Sequence, residues 1–109
     1  MLPKKYRLPA KDFRSVYAKG LKFRGQYGML VATPSKSLRI GFVINKKVGN
    51  AIQRHRMTRL LRVSFLELTK ELNIENKPFD LEYVAFEFCD SKETLKVEFE
   101  KQIKQALSL

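Results

Sequence analysis

The alternation of apolar and polar positions is clearest at residues 38–45, where every second side chain is Leu, Ile or Phe. Because successive side chains of a strand point to opposite faces, this pattern predicts a half-buried β-strand. Residues 26–33 predict an earlier strand that ends in a turn at 34–37, and residues 21–25 predict a further edge strand. An apolar stretch at 79–88 predicts a last strand that is covered on both faces.

Apolar residues at helical spacing predict a short first helix and a longer last one. Phe13, Val16 and Tyr17 lie at i, i+3 and i+4, and Gly20 follows as a stop signal. The last helix is predicted to begin at Asp90, because an Asp followed three residues later by a Glu is typical of a helix start. Its buried side is predicted to consist of Leu95, Phe99, Ile103 and Leu107.

The longest predicted helix lies between these two. Gly49 interrupts the chain, Asn50 is a favourable N-cap, and Gln53 stands three residues later, an arrangement typical of a capping box. A loop at 73–78 follows this helix. The apolar stripe that predicts its buried side contains Met57, Leu60, Leu61, Ser64, Phe65, Leu68 and Leu72.

The order of these elements, α-β-β-β-α-β-α, predicts an α+β fold in which helices pack against a small mixed sheet. The step from strand 38–45 through the long helix to strand 79–88 is predicted to join parallel neighbours, for which the general rule gives a right-handed crossover. A chain of 109 residues is long enough for one hydrophobic core, so residues 1–109 are predicted to form a single domain.

The charge is divided unevenly along the chain. Residues 1–62 carry 16 of the 22 Lys/Arg and one acid, whereas residues 63–109 carry six Lys and ten Asp/Glu. All eight Arg lie in the first part, and Arg is the residue whose planar fork grips phosphate and stacks on bases. A net charge of +11 concentrated in this way predicts a dedicated surface for a polyanion, most simply a nucleic acid.

The remaining composition excludes several other classes. Cys89 is the only cysteine, which excludes a disulfide framework and a thiolate metal site and favours the reducing cytoplasm. No apolar run is long enough to span a bilayer, and the N-terminus lacks a signal-peptide core, so no membrane association is expected.

Residues 46–62 are the strongest candidate for contact with phosphates, because they hold six Lys/Arg and no acid. On a helix, the side chains of residues 55, 56, 59 and 62 occupy an arc of roughly 120° opposite the apolar stripe, and Arg54 lies nearer its edge. Arginines stand near the helix start and Glu67 and Glu71 near its end, the reverse of what the helix dipole favours. This order is expected if the helix start binds an anion.

The first helix is a second candidate site. Phe13 and Tyr17 share its face with Val16 and are flanked by Lys11 and Arg14. Aromatic rings framed by cations stack on bases of single-stranded RNA, although rings at helical spacing also serve as core. Both interpretations stay open for Phe13, whereas Tyr17 is assigned to a groove. A further candidate on the following strand is Tyr27.

Two segments resemble a known family. Residues 39–62 read RIGFVINKKVGNAIQRHRMTRLLR, and residues 8–20 follow the pattern L-x₃-DF-x₂-VY-x₂-G. Both resemble the protein subunit of bacterial ribonuclease P. That resemblance implies an accessory to a catalytic RNA, which removes the 5′ leader of precursor transfer RNA with Mg²⁺ held mainly by the RNA. It also implies a fold that is ribosomal protein S5 domain 2-like, with a left-handed βαβ crossover in place of the right-handed default.

The resemblance implies two sets of RNA-contacting residues and no catalytic residue or metal ligand on the chain. His55 stands where the family has a central Asn, and Thr58 where it commonly has Lys. A cleft between the first helix and the sheet is implied to hold the leader, with Phe13, Tyr17, Lys11, Arg14 and Tyr27 as its candidate residues. The set implied to contact the catalytic RNA is Lys46, Lys47, Asn50, Arg54, His55, Arg56, Arg59 and Arg62.

Other functions compete with this interpretation. A stand-alone nuclease requires clustered carboxylates or His beside the scissile phosphate, and the basic part offers only Asp12 and His55. A ribosomal or ribosome-assembly protein that binds ribosomal RNA fits the charge and size equally well. DNA binding by a helix-turn-helix is disfavoured, because a strand and not a short helix precedes the basic helix.

Overall fold

The computed structural model describes residues 2–109, which contain three α-helices and four strands. Two short 3₁₀ turns, Lys4–Tyr6 and Ala10–Asp12, precede them. The predicted order of helices and strands is confirmed, including the edge strand predicted at 21–25. In chain order the elements are α1 (Phe13–Lys19), β1 (Leu21–Arg24), β2 (Gly28–Pro34), β3 (Arg39–Val43), α2 (Ala51–Glu71), β4 (Phe79–Ala85) and α3 (Lys92–Leu107).

The four strands form one mixed sheet in the order β1-β2-β4-β3. β2 pairs antiparallel with both β1 and β4, whereas β3 pairs parallel with β4, with Phe42 opposite Tyr83. The predicted parallel connection through the long helix is therefore confirmed, and its left hand stays a prediction from the family resemblance. β4 is central and buries both faces, as predicted. β3 lies at the edge of the sheet, a position that decides the shape of the functional surface.

The N-terminal segment covers part of the β3 edge. Arg7 forms an isolated parallel bridge with Ile40, and the Leu8 N–H donates to the Ile40 carbonyl oxygen at 3.0 Å. Beyond this bridge, Tyr6 packs edge-on against Phe65 of α2, with 5.7 Å between ring centroids. The segment before α1 thus belongs to the folded domain.

Both ends of α2 are fixed by local hydrogen bonds. The Asn50 side chain accepts from the Gln53 N–H at 2.8 Å, and the Gln53 side chain accepts from the Asn50 N–H at 3.0 Å, which confirms the capping box. At the other end Asn73 adopts φ 56°, and the Ile74 N–H donates to the Thr69 carbonyl at 3.0 Å. This is a Schellman-type end in which Asn takes the place usually held by Gly.

The start predicted for α3 is wrong by one residue. Ser91 is the N-cap, and its hydroxyl accepts from the Thr94 N–H at 3.3 Å. Asp90 instead forms an ion pair with Arg56 of α2. Ser and Asp are comparable N-caps, so the distant arginine decides which of the two neighbours takes the cap position. The predicted buried side of α3 is confirmed by Leu95, Phe99, Ile103 and Leu107.

Each face of the sheet has its own hydrophobic cluster. The main core lies between the sheet and helices α2 and α3, with Phe65, Leu81 and Phe99 fully buried. A smaller cluster on the opposite face contains Val16 of α1 and Met29 and Val31 of β2. α1 therefore covers one part of a sheet face, and the rest of that face is available to solvent or a ligand.

Candidate nucleic-acid interface

Five cations of the predicted RNA-contacting set have no carboxylate partner within ion-pair distance among residues 2–109. Lys46 and Lys47 are exposed in the turn after β3, and Arg59 and Arg62 are exposed on α2. Arg54 is half-buried near the start of α2, where its Nη1 donates to the Gly49 carbonyl at 2.8 Å. We call this surface the basic face; its members are Lys46, Lys47, Asn50, Arg54, His55, Arg56, Arg59 and Arg62.

Arg56 is the member of the basic face that binds a carboxylate of the same chain. Its Nε pairs with Asp90 Oδ1, and both side chains stay about half exposed, at 49% and 53%. An ion pair in that environment contributes little to stability, because water screens it. RNA can therefore displace this contact at small cost, although Asp90 also places one negative charge beside the basic face.

The start of α2 keeps the features of an anion site. Asn50 serves as the cap, and the first turn contains no acid, so the positive end of the helix dipole is not neutralised there. His55, one turn further, is exposed and lies in the wall of the groove described next. The helix start thus offers backbone N–H groups and cations on one side.

The acids at the other end of α2 are occupied by α3. Glu67 binds Lys92 at 2.6 Å and Lys96 at 2.9 Å, and Glu71 binds Lys96 at 2.7 Å. The hydrogen bond from Lys92, followed by that from Lys96, lowers the pKa of Glu67. These carboxylates join the two helices, and Arg54, Arg59 and Arg62 of the basic face have no carboxylate partner among residues 2–109.

A groove of about 600 Å³ runs between α2 and the edge strand β3. We call it the edge groove. Phe42 of β3 and Ile44, just after that strand, form its floor, and Val63 and Leu66 add apolar side chains from α2. Its polar wall consists of Arg54, His55, Thr58, Arg59 and Arg62. The groove therefore combines four members of the basic face with an apolar floor.

A second depression of about 390 Å³ continues the edge groove toward α1. The two share Phe42, Thr58 and Arg62, so they adjoin one another, and we call the adjoining pair the channel. Phe13 lines the second depression and is half-buried, with its ring packed on Gly41 so closely that a Cβ at Gly41 would collide with it. Phe13 is therefore both a packing residue of the small cluster and a wall of the channel.

Tyr17 lies on the outer side of α1. Its side chain is 44% exposed, and Lys22 Nζ stands 4.6 Å from its ring centroid while donating to the Tyr17 carbonyl at 2.8 Å. Arg14 of α1 and Lys11 of the 3₁₀ turn just before that helix are both exposed. Tyr17 is thus not a core residue. An aromatic ring with a cation beside it is a common arrangement on surfaces where RNA bases stack.

The comparisons with known proteins agree with this architecture. Residues 2–107 match the sequence profile of the Ribonuclease P family. This chain belongs to the ribonuclease P protein family. It is 42% identical to the ribonuclease P protein component of a Nitratiruptor species over 64 residues, which are 59% of each chain. It is 34% identical to that of Clostridioides difficile over 98 residues, 85% of this chain and 80% of the relative.

Solved structures of the family share the fold. The RNase P protein from Staphylococcus aureus superposes with a TM-score of 0.71 at 23% identity, over 97% of this chain and 92% of that one. The RNase P protein from Thermotoga maritima gives 0.62 at 21% identity, over 94% and 91%. The predicted α+β class is thereby confirmed.

Tyr27 is separated from the other residues predicted for the leader cleft. It packs against the main core, on the sheet face opposite α1, and its backbone N–H donates to Glu98 of α3 at 3.0 Å. Burial is the largest cause of its raised pKa. The structure therefore does not bring Tyr27 together with Phe13 and Tyr17.

The apolar floor of the edge groove is the part that sequence reasoning missed. The sequence pattern places Phe42 and Ile44 only on the buried side of a strand, because alternation does not reveal which strand lies at the edge of a sheet. Val63 and Leu66 interrupt the polar side of α2, and they are the available signal in the sequence. Together these four residues show that the basic face is not uniformly polar.

Two properties of the described residues bear on metals and membranes. Within residues 2–109, no three His, Cys, Asp or Glu side chains stand close enough to hold a metal ion together. None of the helices in that range combines the length and apolar character needed to cross a membrane.

Proposed function

We propose that this chain is the protein subunit of a ribonuclease P, and that the basic face binds the catalytic RNA. The observation that carries the proposal is that five cations on one surface have no carboxylate partner within residues 2–109, in a chain that belongs to this family. The subunit assists endonucleolytic removal of the 5′ leader from precursor transfer RNA, and it acts in the cytoplasm.

The single-stranded leader is proposed to lie along α1. Phe13 lines the channel and Tyr17 is exposed beside Lys22, so a base can stack on a ring while Lys11 and Arg14 meet phosphates. The depression that Phe13 lines shares Arg62 with the edge groove, and this supports the arrangement because it brings a leader on α1 next to an RNA on α2.

Catalysis is assigned to the RNA, which is also proposed to hold the Mg²⁺ ions. The described part of the chain provides no carboxylate cluster suited to Mg²⁺, a cation that prefers oxygen ligands. Phosphate oxygens of the RNA supply such ligands. In this division of labour the protein neutralises phosphates and positions the substrate, and its cations lower the Mg²⁺ concentration that the RNA requires.

Reconstitution tests the proposal. The chain is mixed with a ribonuclease P RNA at low Mg²⁺, and cleavage of precursor transfer RNA is measured. We expect cleavage that the RNA alone does not give, and a large loss in the variant Arg59→Gln with Arg62→Gln. The matched control Lys70→Gln with Lys101→Gln removes the same two charges from exposed lysines elsewhere and should cleave normally. Failure of the unchanged chain to restore cleavage would overturn the proposal.

Two competing functions give different results in simple assays. A stand-alone nuclease would cleave precursor transfer RNA with Mg²⁺ and no RNA subunit. A protein of the ribosome or of ribosome assembly would capture ribosomal RNA from cells, with no ribonuclease P RNA among the co-purified species. We expect the chain alone to be inactive and the captured RNA to be that of ribonuclease P.

A further inference from the structure

The edge groove contains more than phosphate binding requires. Phosphates are held by cations and backbone N–H groups, which the rest of the basic face already supplies. Phe42, Ile44, Val63 and Leu66 nevertheless line the same groove as the arginines, and Val63 is 39% exposed. Burial of such apolar surface lowers the free energy. Because cations border the groove, the ligand that suits it is a planar group that carries its own phosphate.

The strand edge beside this floor has unused hydrogen-bonding groups. Because the Ile40 carbonyl points away from β4 and bonds to the Leu8 N–H, alternation makes the N–H and C=O groups of Phe42 point to the same outer side. The N-terminal segment bridges β3 only at Ile40, and no residue in 2–109 forms a bridge to Phe42 from that side. A donor and an acceptor thus lie on the outer edge of β3 at Phe42, a residue that lines the groove, and they can pair with the edge of a base.

We propose that the edge groove holds one unpaired nucleotide of the catalytic RNA, with its base on Phe42 and its phosphate on the arginines of α2. This inference rests on the proposed function, because it requires that the basic face binds that RNA. The charge of the wall selects the occupant: Arg54, Arg59 and Arg62 border the groove and have no acid partner among the described residues, which favours a nucleotide over an apolar peptide.

The catalytic RNA is the favoured source of this nucleotide because of where the groove lies. Its wall belongs to α2, which carries the basic face, whereas α1, proposed to hold the leader, borders only the second depression through Phe13. Phe42 packs against Tyr83 with 6.4 Å between centroids, so its ring is already fixed before a base arrives. A fixed ring loses little conformational freedom on stacking.

Two conservative variants test the proposal with matched controls. Phe42→Leu keeps an apolar floor and removes the ring, and Phe79→Leu makes the same change at a half-buried ring at the start of β4. Val63→Gln makes the groove polar without adding charge, and Val97→Gln does the same on α3, where Val97 is 59% exposed. Melting temperatures identify any variant that fails to fold, and the valine pair keeps the test valid in that case.

The readout is the affinity for a ribonuclease P RNA, together with base-specific chemical probing and hydroxyl-radical probing of its backbone. We expect Phe42→Leu to bind about fivefold or more weakly than Phe79→Leu, as loss of one stacked base predicts. We also expect an unpaired base of that RNA to lose its protection in Phe42→Leu and Val63→Gln while backbone protection persists.

Three results would overturn the inference. Affinities equal to those of the controls, or base protections that persist in both groove variants, would show that the groove is empty in the complex. Protection of a leader base by the same residues would assign the groove to the precursor. Failure of the unchanged protein to protect any backbone of the RNA is a different outcome, because it would contradict the proposed function itself.

Discussion

Removal of the Asp90 carboxylate should strengthen binding of RNA to the basic face. Asp90 pairs with Arg56, and this is the one ion pair with a member of that face among residues 2–109. In the variant Asp90→Asn, Arg56 no longer has to exchange a carboxylate for a phosphate. The variant also removes a negative charge that an incoming phosphate must approach.

The size of the effect follows from the geometry of the pair. A phosphate on the far side of the Arg56 guanidinium would lie roughly 6–7 Å from the Asp90 carboxylate, where two unit charges in water repel by about 0.6 kcal/mol. Loss of an exposed ion pair adds at most about 1 kcal/mol to that figure, because both partners are half exposed. Together these terms predict binding roughly 3- to 15-fold tighter at low salt, with a smaller gain near physiological salt.

Titration of a ribonuclease P RNA at several salt concentrations measures this effect. With five cations on phosphates, log affinity should fall against log salt with a slope of roughly −3.5 to −4.5, and Asp90→Asn should steepen it by about 1. The control variant Glu100→Gln changes the net charge by the same amount, because it also removes one carboxylate. It breaks the Glu100–Lys104 ion pair of 3.0 Å on α3. Equal affinities of the two folded variants would refute the reasoning, and so would weaker binding by Asp90→Asn.

Three further predictions address the leader surface and the stability of the domain. Tyr17→Ala should weaken precursor binding by about 1–3 kcal/mol and leave mature transfer RNA binding nearly unchanged, and equal losses for both ligands in a binding assay would refute stacking there. Glu82 is 4% exposed with an unpartnered oxygen, and burial raises its pKa, so stability should fall as pH rises from the ordinary glutamate pKa toward that raised value. Glu82→Gln should therefore have a higher free energy of unfolding than the unchanged chain at neutral pH, and the difference should close in acid. A difference that stays constant with pH would contradict this. Glu67 has a lowered pKa, so its contribution to the free energy of unfolding is present above the ordinary glutamate pKa and is lost as pH falls through the lowered value. In unfolding measurements, Glu67→Gln should lower that free energy by less than about 1 kcal/mol at neutral pH, because the side chain is 35% exposed. In strong acid the variant should be as stable as the unchanged chain.

Features that depend on neighbours in sequence were predictable. The capping box of α2 needs only Asn50 and Gln53, three residues apart, and both of its hydrogen bonds form. The start of α3 shows the limit of such reasoning, because Asp90 and Ser91 are adjacent and both are good caps. The partner that occupies Asp90 is Arg56, 34 residues earlier, and no local pattern indicates that contact.

The site was predictable in its charges and not in its shape. Periodicity alone places His55, Arg56, Arg59 and Arg62 on one arc of the helix, and the family resemblance implies the other four members of the basic face. The edge groove depends on β3 lying at the end of the order β1-β2-β4-β3, which pairing between distant strands decides. The separation of Tyr27 from Phe13 and Tyr17 was not predictable for the same reason: the place of Tyr27 on the opposite face follows from the hairpin and from Glu98 of α3.

The uneven charge of the sequence acquires a physical meaning in the fold. Several acids of the second half are used internally: Glu98 holds the backbone N–H groups of Gln26 and Tyr27, and Asp80 binds Arg39 through two hydrogen bonds of 2.9 and 2.8 Å. Arg39, an arginine of the first half, therefore binds a carboxylate of the sheet and not a ligand. Its hydrogen bonding to Asp80 raises its pKa. Because these acids are fixed by partners inside the domain, they cannot swing over to neutralise the basic face. The fold thus keeps a strongly cationic surface apart from most carboxylates of the same chain, and Asp90, paired with Arg56, is the exception among residues 2–109.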